Sequence, residues 1–461
     1  MPSATSPASD TTASDGADGP IVSLPRLGAA VVTSSVGALV ALFTPVTLLL
    51  TLKIDSLTDS GAETAFGLIT GAGAIFAFVA NPIAGHVSDR TAARFGRRRT
   101  WILAGSLCGS LVVVALGFTT AVWQVAVLWF LTQTVFNFQM AATGALFAEQ
   151  VPAERRGTFS GLIGLMGALA PLIGIAAVSG FSDQRVKWCV IAGISAFLGV
   201  LAVLLVRERP REKTAPKAAL RPAELLKTFW LNPRDHPAFG WVWALRFLVI
   251  CGAASSSYNA FFALHRLGLD DDAAQSFVLV MAAASVVPMA IAGLVAGPLS
   301  DRIQRQKPFI IAGGAIIIVG LVLMAIAQTR GVAYAAASVV GLGTGTFVSV
   351  DSAISIRLLP NAEDVGKDLG ILNLANTLPQ SVVPFIAPLL LFIGGFPALY
   401  LTLAVLVVAG VATVFRLPEI GREGDPRWAL LTRDRAHVTP EAPEAPEAPD
   451  VLEPLPSKEI S

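Results

Sequence analysis

The stretch Gly-His-Val-Ser-Asp-Arg at residues 85–90 returns as Gly-Pro-Leu-Ser-Asp-Arg at residues 297–302. Each copy ends one long apolar segment and is followed by basic residues and a further apolar segment. The second copy lies about 210 residues after the first. A repeated hinge between repeated apolar segments predicts a duplicated membrane bundle with two moving halves, which is the organisation of a transporter.

The composition is that of a membrane protein. Hydrophobic residues make up 54% of the 461 residues and charged residues only 14%, whereas soluble domains carry about a quarter charged residues. Continuous apolar runs of about twenty residues fit membrane helices and are too long for barrel strands. We therefore expect an all-α membrane protein of twelve transmembrane helices, arranged as two six-helix pseudo-symmetric halves. The spans are predicted at residues 28–52, 63–85, 101–120, 122–147, 158–180, 188–206, 239–264, 274–299, 308–328, 332–353, 369–393 and 396–416.

The spans divide the chain into five parts. Residues 27–206 and 239–416 are the predicted halves, and residues 207–238 are a cytoplasmic loop that forms either a short amphipathic helix or a plain linker. Residues 1–26 are predicted to be a disordered cytoplasmic tail. The first span is expected to be retained, because it is too long for a signal peptide and no basic start or cleavage pattern precedes it. Residues 417–461, with Glu-Ala-Pro repeats, are predicted to be a second disordered cytoplasmic tail.

The charge distribution predicts the orientation. Twenty Lys and Arg residues lie in the even-numbered connections between spans and five in the odd-numbered ones. The positive-inside rule therefore places both termini and the even connections in the cytoplasm. Arg outnumbers Lys, and Ala and Gly are abundant, which is typical of a GC-rich bacterial genome. We therefore expect a multi-pass protein of the bacterial plasma membrane.

A second repeat supports the duplication. Val-Pro-Ala-Glu-Arg-Arg-Gly at residues 151–157 matches Leu-Pro-Asn-Ala-Glu-Asp-Val-Gly at residues 359–366. Its two glycines are also about 210 residues apart. Two matches at one offset predict six plus six helices joined in the central loop.

The repeated aspartates, Asp89 and Asp301, are predicted at helix ends on the cytoplasmic side. A carboxylate there can accept hydrogen bonds from the free N–H groups that begin another helix. We expect Asp89 to face the eleventh span near Asp368, and Asp301 to face the fifth near Gly157, which would close the cytoplasmic side. Gly85 would allow its helix to approach a neighbour closely. A static cap within one half is the alternative interpretation.

The loop Ser-Asp-Arg-Thr-x-x-Arg-Phe-Gly-Arg-Arg-Arg at residues 88–99 resembles the signature loop of the major facilitator superfamily. It is most similar to the form found in the sucrose:proton symporters and the glycoside–pentoside–hexuronide:cation symporters. Residues 366–373, Gly-Lys-Asp-Leu-Gly-Ile-Leu-Asn, resemble the same group. The resemblance covers residues 25–416 and implies alternating access, cation-coupled movement of a small solute, and a state-dependent latch. The residues that we assign to this latch are Gly85, Asp89, Arg90, Arg97, Glu149, Gly297, Asp301 and Arg302.

The chain departs from those symporters in its first half. They carry an acidic residue inside an early helix, whereas the first six spans here have no Asp or Glu at mid-depth. The candidates for coupling or gating are therefore Arg246 in the seventh span and Asp351 in the tenth, because charges at membrane depth are costly and are kept for a reason. They can pair as a gate or a proton-responsive site. A structural salt bridge or snorkelling is the alternative.

Uncharged polar residues are the candidates for binding a solute. Gln133 and Asn137 share a face of the fourth span, and a second set lies in the C-terminal half at Tyr258, Asn259, Asn373, Asn376 and Gln380. Amides and hydroxyls at this depth suit a neutral sugar or polyol. They can equally join helices by hydrogen bonds.

These features predict a secondary transporter of a small polar solute such as a sugar or glycoside, with H⁺ or Na⁺ as the coupling ion. The alternatives are an efflux carrier for amphipathic compounds and a non-transporting receptor. We expect no enzymatic activity, since the Asp270–Asp272 cluster has no partner cluster and no nucleotide-binding loop occurs. We also expect no metal site, no cofactor and no nucleic-acid partner, and a monomer in contact with membrane lipid. The three cysteines have no pair spacing.

Overall fold

The computed structural model describes residues 22–91, 93, 95–208, 237–303, 305–357, 371–372 and 374–417. Its long elements are all helices: α1 (Leu24–Asp55), α2 (Ala62–Arg90), α3 (Arg97–Gly117), α4 (Val122–Gln150), α5 (Ala153–Val178), α6 (Gln184–Leu205), α7 (Pro237–Arg266), α8 (Asp271–Ile303), α9 (Lys307–Ile326), α10 (Arg330–Arg357) and α11 (Leu374–Arg416). All eleven are long and apolar enough to cross a membrane.

The last helix is long enough to cross twice. The apolar helical stretch Leu374–Arg416 has 43 residues, which at 1.5 Å each would extend about 65 Å, twice the hydrocarbon thickness of a bilayer. The helix is broken at Gly394 and Gly395, and Gly395 has a φ of 64°. Glycine adopts this left-handed conformation without strain. The break divides α11 into a first arm before Gly394 and a second arm after Gly395.

The two arms run in opposite directions along α7. Ile371, which precedes the first arm, contacts Trp243, and Pro384 in the first arm contacts Tyr258. The contacts on the second arm are Phe262 with Phe396 and Leu248 with Gly410. On the first arm, the residue numbers of the contacting residues in α7 and α11 increase together, so the two run parallel. On the second arm, they increase in opposite directions, so the two run antiparallel. The eleven helices therefore provide twelve crossings, as the sequence predicts.

Irregular turns interrupt two of the helices. Helix α1 widens into a π turn at Pro45–Leu49, where proline has no N–H to donate to the preceding turn. Helix α7 begins at Pro237, tightens into a 3₁₀ turn at Ala254–Tyr258 and widens into a π turn at Phe262–Arg266. The α7 turns change which side chains face the neighbouring helices at Tyr258 and His265.

Small residues allow the helices of each half to pack closely. An added Cβ atom at Gly105 of α3 would lie 2.6 Å from Cβ of Gln139 on α4. In the other half, an added Cβ atom at Gly313 of α9 would lie 3.0 Å from the carbonyl oxygen of Gly343 on α10. In a membrane, where hydrocarbon surrounds the helices, such close approach gains van der Waals contact and holds helices together.

The bundle has two distinguishable ends. Arg97, Arg98, Arg207 and Arg305 lie at or beyond helix ends on one side, which we name the basic end. The opposite side, where α7 ends and α8 begins, is named the His265 end. Among the described residues, contacts that pair the first six helices with the last five are found at the His265 end: Gly67 meets Pro384, and Gln275 Nε2 donates to the carbonyl oxygen of Val178 at 3.1 Å.

The exposure of α2 changes along its length. In its first three turns, toward the His265 end, Thr64 and Leu68 form a narrow exposed strip and Phe66, Ile69 and Thr70 are buried. Nearer the basic end, six of the described residues between 75 and 83 are exposed: Ile75, Phe76, Phe78, Val79, Asn81 and Ile83. At 100° per residue these cover an arc of about 220°, which is more than one lipid-facing stripe. Helix α2 therefore stands apart from the second half at the basic end.

The described helices confirm the all-α membrane fold. The division into halves at residues 27–206 and 239–416 stays a prediction. Residues 1–21, 209–236 and 418–461, which contain most of the two predicted tails and of the central loop, lie outside the described residues.

Candidate transport and gating sites

Two arginines converge on one carboxylate at the basic end. Arg97 Nη2 and Arg98 Nη2 each donate to Oε1 of Glu149, both at 2.6 Å. Arg98 also donates from Nη1 to Oγ of Ser88 at 2.7 Å, and its side chain is almost fully buried. Helices α2, α3 and α4 are thereby tied together within the first half. Arg97 and Glu149 were both predicted as latch residues, and the structure places them in contact.

A residue that the sequence analysis missed completes this network. Glu208 follows the end of α6, and its carboxylate accepts hydrogen bonds from the backbone N–H of Arg98 at 3.0 and 3.1 Å and from that of Arg99 at 3.3 Å. The N-cap position of α3 is Gly96, which has no side chain to cap the helix. Glu208 therefore caps α3 from 110 residues away in sequence and complements the helix dipole.

The surroundings of Glu208 favour its protonated form. Burial raises the pKa of the Glu208 carboxyl, and the nearby Glu149 carboxylate raises it further, while the backbone hydrogen bonds from Arg98 and Arg99 act in the opposite direction. The raising effects prevail, so this cap changes charge at a higher pH than an ordinary glutamate does.

The predicted contacts of the latch across the halves lie largely outside the described residues. The side chains of Asp89 and Asp301 lie outside the described part of the chain. So do residues 358–370, which include Asp368. The side chains of Arg90 and Arg302 are exposed. Gly297 has Cβ of Ser349 as a neighbour, at 3.8 Å from an added Cβ atom.

One expectation about the latch is wrong for this conformation. We expected Gly85 to allow a close helix approach, but no described atom would lie within 4 Å of a Cβ atom added there. The close approach of α2 to the second half is instead at Gly67 and Gly71, beside Pro384 and Phe385. The reason is that α2 stands apart at the basic end and is packed at the His265 end.

The predicted pair Arg246 and Asp351 is formed. Arg246 donates from Nε to Asp351 Oδ2 at 2.6 Å, and its Nη2 also contacts Oδ2. The side chains are only 8% and 5% exposed, so Arg246 does not snorkel to an interface. Within the part of the chain that the structure describes, Oδ1 of Asp351 accepts no hydrogen bond. The pair therefore keeps a vacant acceptor in a buried position.

The polar candidates of the first half lie on α4 and are half-buried. Asn137 Nδ2 donates to the carbonyl oxygen of Gln133 at 2.7 Å, within the helix. Gln133 lies against α2, since its Cγ would be 3.5 Å from a Cβ atom added at Gly73. Gln139 is buried and donates to the carbonyl oxygen of Ser34 at 3.1 Å, so it joins α4 to α1.

The candidates of the second half differ in exposure. Tyr258 is fully buried, and its hydroxyl donates to the carbonyl oxygen of Pro384 at 3.0 Å, so it joins α7 to α11. Asn259 and Asn376 are half-buried, and Gln380 is exposed. Asn373 lies outside the described residues. Asn376 and Gln380 are four residues apart and share one face of the first arm of α11.

Comparison with known protein families shows which family this chain belongs to. A family model described as Major Facilitator Superfamily matches residues 27–329 and 265–440. This chain belongs to the Major Facilitator Superfamily. Its twelve membrane crossings are those of a multi-pass transporter of this superfamily, whose members are typically non-enzymatic. The superfamily predicted from the signature loop is thereby confirmed.

The curated relatives in this superfamily include both permeases and efflux proteins. The α-ketoglutarate permease of Escherichia coli (strain K12) is 26% identical over 321 residues, covering 64% of this chain and 72% of that protein. The lactose permease of Lactobacillus helveticus is 30% identical over 185 residues, covering 34% and 29%. The multidrug resistance protein MdtL of Escherichia coli O81 (strain ED1a) is 31% identical over 173 residues, covering 36% and 43%. The matches to the last two span less than half of those proteins.

Solved structures of the superfamily share the fold. A D-xylose-proton symporter matches with a TM-score of 0.61 and 16% identity over 85% of this chain and 98% of that one. The human organic anion transporter MFSD10 matches with a TM-score of 0.63 and 13% identity over 85% and 99%. At such identities the likeness concerns the fold alone.

Proposed function

We propose that the protein is a secondary active transporter that works by alternating access and moves a small polar solute such as a sugar or glycoside together with a cation. The observation that carries this proposal is the asymmetry of the bundle. The halves meet at the His265 end, at Gly67 and Pro384, while α2 is exposed over most of its circumference at the basic end. One closed and one open end are what a single state of an alternating-access cycle requires.

The orientation follows from the charges. The basic end faces the cytoplasm by the positive-inside rule, so the conformation described here is open to the inside. The loop at residues 88–99 supports placing the protein with the glycoside–pentoside–hexuronide:cation and sucrose:proton symporters. The excess of Arg over Lys and the abundance of Ala and Gly support a bacterial plasma membrane.

Arg246 and Asp351 are the proposed coupling or gating pair. A carboxylate with one oxygen on an arginine and the other vacant can take up a proton, coordinate Na⁺ or accept a solute hydroxyl. Both side chains are almost fully buried, so a change in the charge of either alters the stability of the surrounding helices strongly. Such a pair can link ion binding to helix movement.

A neutral solute is favoured over an anion. An anionic solute would require an unneutralised cation, whereas Asp351 neutralises the guanidinium of Arg246. The half-buried amides of Gln133, Asn137 and Asn376 can exchange hydrogen bonds with hydroxyl groups. This supports a sugar or polyol as the solute. We also propose that the protein acts as a monomer in lipid.

A second candidate is efflux of small amphipathic compounds. The observation that favours it is the 31% identity to the multidrug resistance protein MdtL over 173 residues. The two candidates differ in the direction of movement and in the polarity of the solute.

The test is solute-driven proton movement in proteoliposomes that contain a pH-sensitive dye. Disaccharides, pentoses, uronides and polyols would be added in turn to the wild type, to Asp351→Asn and to the control Asp59→Asn, whose side chain is exposed in the α1–α2 connection. We expect one sugar to change the internal pH, and Asp351→Asn to abolish this change while Asp59→Asn retains it. A change driven by sugar that survives in Asp351→Asn would contradict the role of Asp351.

The sugar proposal would be contradicted if no sugar changed the internal pH and none was taken up in response to a Na⁺ gradient. Accumulation of an amphipathic dye in inside-out vesicles, driven by a proton gradient, would then support efflux.

A further inference from the structure

His265 contacts two carboxylates from the opposite half. Its Nδ1 lies 2.5 Å from Oε1 of Glu63 on α2, and its Nε2 lies 2.9 Å from Oδ1 of Asp55 on α1. Nothing in the local sequence around His265 indicates these partners, which lie about 200 residues earlier in the chain. The imidazole therefore bridges the two halves at the end where they meet.

This geometry requires a bound proton. A neutral imidazole has one N–H group and one lone pair, so it can donate to only one of two flanking carboxylates. The second nitrogen would then direct its lone pair at a carboxylate oxygen 3 Å away or less. Both contacts are hydrogen bonds only when the imidazole is protonated or when one carboxyl group is protonated. The cluster of Asp55, Glu63 and His265, named the bridging triad, thus holds one more proton than its separated members hold at neutral pH.

The triad cannot serve as a metal site in this arrangement. The two nitrogens lie on opposite edges of the ring, and each faces a different carboxylate, so the three side chains do not converge on one point. In the described residues no group of three or more potential ligands has the geometry to hold a metal ion. The ligand that fits the triad is a proton.

The triad is partly exposed to solvent and borders a buried aromatic cluster. The side chains of His265, Asp55 and Glu63 are 35%, 32% and 25% exposed. Directly below, the rings of Phe66, Phe261 and Tyr258 are fully buried and pack edge to face, with Phe66 5.5 Å from Tyr258 and 5.3 Å from Phe261. The ring of Phe261 lies 5.6 Å from that of His265. The triad is therefore the polar rim of an aromatic plug that joins α2 to α7.

Several other charged groups at this end contact partners other than His265; Lys187, for example, lies 3.9 Å from Asp272. On α8, Asp271 accepts from Gln184 and Asp272 from Ser182, each at 3.4 Å, and Asp270 caps its own helix through the N–H of Ala273. Lys53 on α1 donates to the carbonyl oxygen of Gly117 at 3.2 Å. Arg266 follows His265 in sequence and is exposed. The groups that face the imidazole from the helices packed against it are Asp55 on α1 and Glu63 on α2.

We propose that the bridging triad is a proton-binding gate that closes the His265 end when it is protonated and releases it when the proton leaves. Loss of the proton leaves a neutral ring that can donate to only one carboxylate, so the charge attraction and one hydrogen bond that hold α1 and α2 to α7 are lost. The assignment of this gate to the outer face rests on the proposed function. A proton taken up from outside would then favour closure of the outer side, which is the step that leads an importing symporter to its inward-open state.

The test measures the distance between the halves at this end as a function of pH. Spin labels would be placed at Thr64→Cys on α2 and Ser276→Cys on α8, both exposed positions. The background would be the full chain with the three native cysteines replaced by alanine, reconstituted in lipid nanodiscs. We expect short distances at pH 5 and a growing population of longer distances toward pH 9.

Three variants make the test specific. His265→Gln removes the titrating group and is expected to abolish the pH response. Glu63→Gln, which keeps a hydrogen-bonding side chain but removes one negative charge, is expected to move the midpoint of the response to lower pH. His86→Gln, at a half-buried histidine of α2 near the basic end, is the matched control and is expected to respond like the wild type.

A distance that does not depend on pH in the wild type would overturn the proposal. So would an unchanged response in both His265→Gln and Glu63→Gln. The measurement uses no solute, so its outcome is independent of the sugar panel. A pH-dependent distance without a response to any sugar would retain the gate and contradict the sugar as solute. A distance that does not depend on pH, together with a response to a sugar, would contradict only the gate.

Discussion

A Cβ atom added at Gly67 of α2 would lie 2.3 Å from the carbonyl oxygen of Pro384 in the first arm of α11. Carbon and oxygen atoms do not remain that close, so the two helices can meet at the His265 end only because Gly67 has no side chain. We predict that Gly67→Ala separates the helices and disfavours the closed state of this end. The Thr64–Ser276 label distance is expected to lengthen at every pH, and the rate of solute uptake to fall several-fold.

Gly85→Ala is the matched control, since it changes a glycine of the same helix where no described atom is within 4 Å. It is expected to leave the label distance unchanged in the conformation open at the basic end. Equal effects of the two alanines would show that helix propensity, and not the contact with Pro384, governs the result.

The buried pair of Arg246 and Asp351 gives a second prediction. Asp351→Asn leaves the guanidinium of Arg246 without its carboxylate in a buried position, and we expect it to lower the free energy of unfolding by about 3–5 kcal/mol. Removing both charges, in Arg246→Leu with Asp351→Leu, is expected to restore most of this loss. Thermal unfolding in detergent, followed by the intrinsic tryptophan fluorescence, measures the difference.

Transport by the double variant separates a structural pair from a functional one. If the pair only holds helices together, the restored protein transports as the wild type does. We expect instead a folded protein that has lost cation-coupled uptake, because the vacant Oδ1 of Asp351 is lost with the charge. Normal coupled uptake in the double variant would count against any role of the pair beyond stability.

The sequence predicted the elements better than their partners. Twelve apolar runs, two repeats at one offset and the distribution of Arg and Lys were sufficient for the fold, because the bilayer requires long, internally hydrogen-bonded helices. The pairing of Arg246 with Asp351 was also predicted, since each is a lone charge at depth and a buried charge requires a counterion.

Partners that depend on three-dimensional packing were not predictable. Glu208 lies in a charged stretch that is typical of the start of a loop. It acts as a cap only because α3 begins at Arg97 and because Gly96, at the N-cap position, has no side chain. His265 was missed because its carboxylates come from α1 and α2, about 200 residues earlier. The motif around Gly85 does not indicate which glycine of α2 makes the contact, because this depends on which end of the bundle is closed.

The cap formed by Glu208 gives a pH-dependent prediction. Burial raises the pKa of this carboxyl above its ordinary value of 4.5, so the folded protein binds this proton more tightly than the unfolded chain does. The resulting stabilisation is present below the ordinary value and is lost as the pH rises through the raised value. The wild type is therefore expected to lose stability relative to Glu208→Gln as the pH rises from 4 through the raised pKa of Glu208.

Melting temperatures of the wild type and Glu208→Gln, measured together across this pH range, check the prediction. Asp59→Asn, at an exposed position, is the control and is expected to follow the wild type. A difference between wild type and Glu208→Gln that grows in favour of the wild type with rising pH would mean that the hydrogen bonds from Arg98 and Arg99 outweigh burial. Glu208→Ala, which removes the cap altogether, is expected to be about 1 kcal/mol less stable than Glu208→Gln at any pH, because neither of these two side chains titrates.

The latch at the basic end gives the last prediction. Glu149 holds Arg97 and Arg98 in the first half at 2.6 Å each, and Asp89 follows Ser88, to which Arg98 also donates. If Asp89 binds the start of the eleventh crossing only when this end closes, Asp89→Asn changes the rate of switching and not the solute site. We therefore expect turnover to fall about tenfold with the Kd for solute nearly unchanged, measured by uptake kinetics and by equilibrium binding in detergent. A collapse of binding with normal turnover of the bound fraction would instead assign Asp89 to the solute site, since only a group that contacts the solute changes affinity without changing the switching rate.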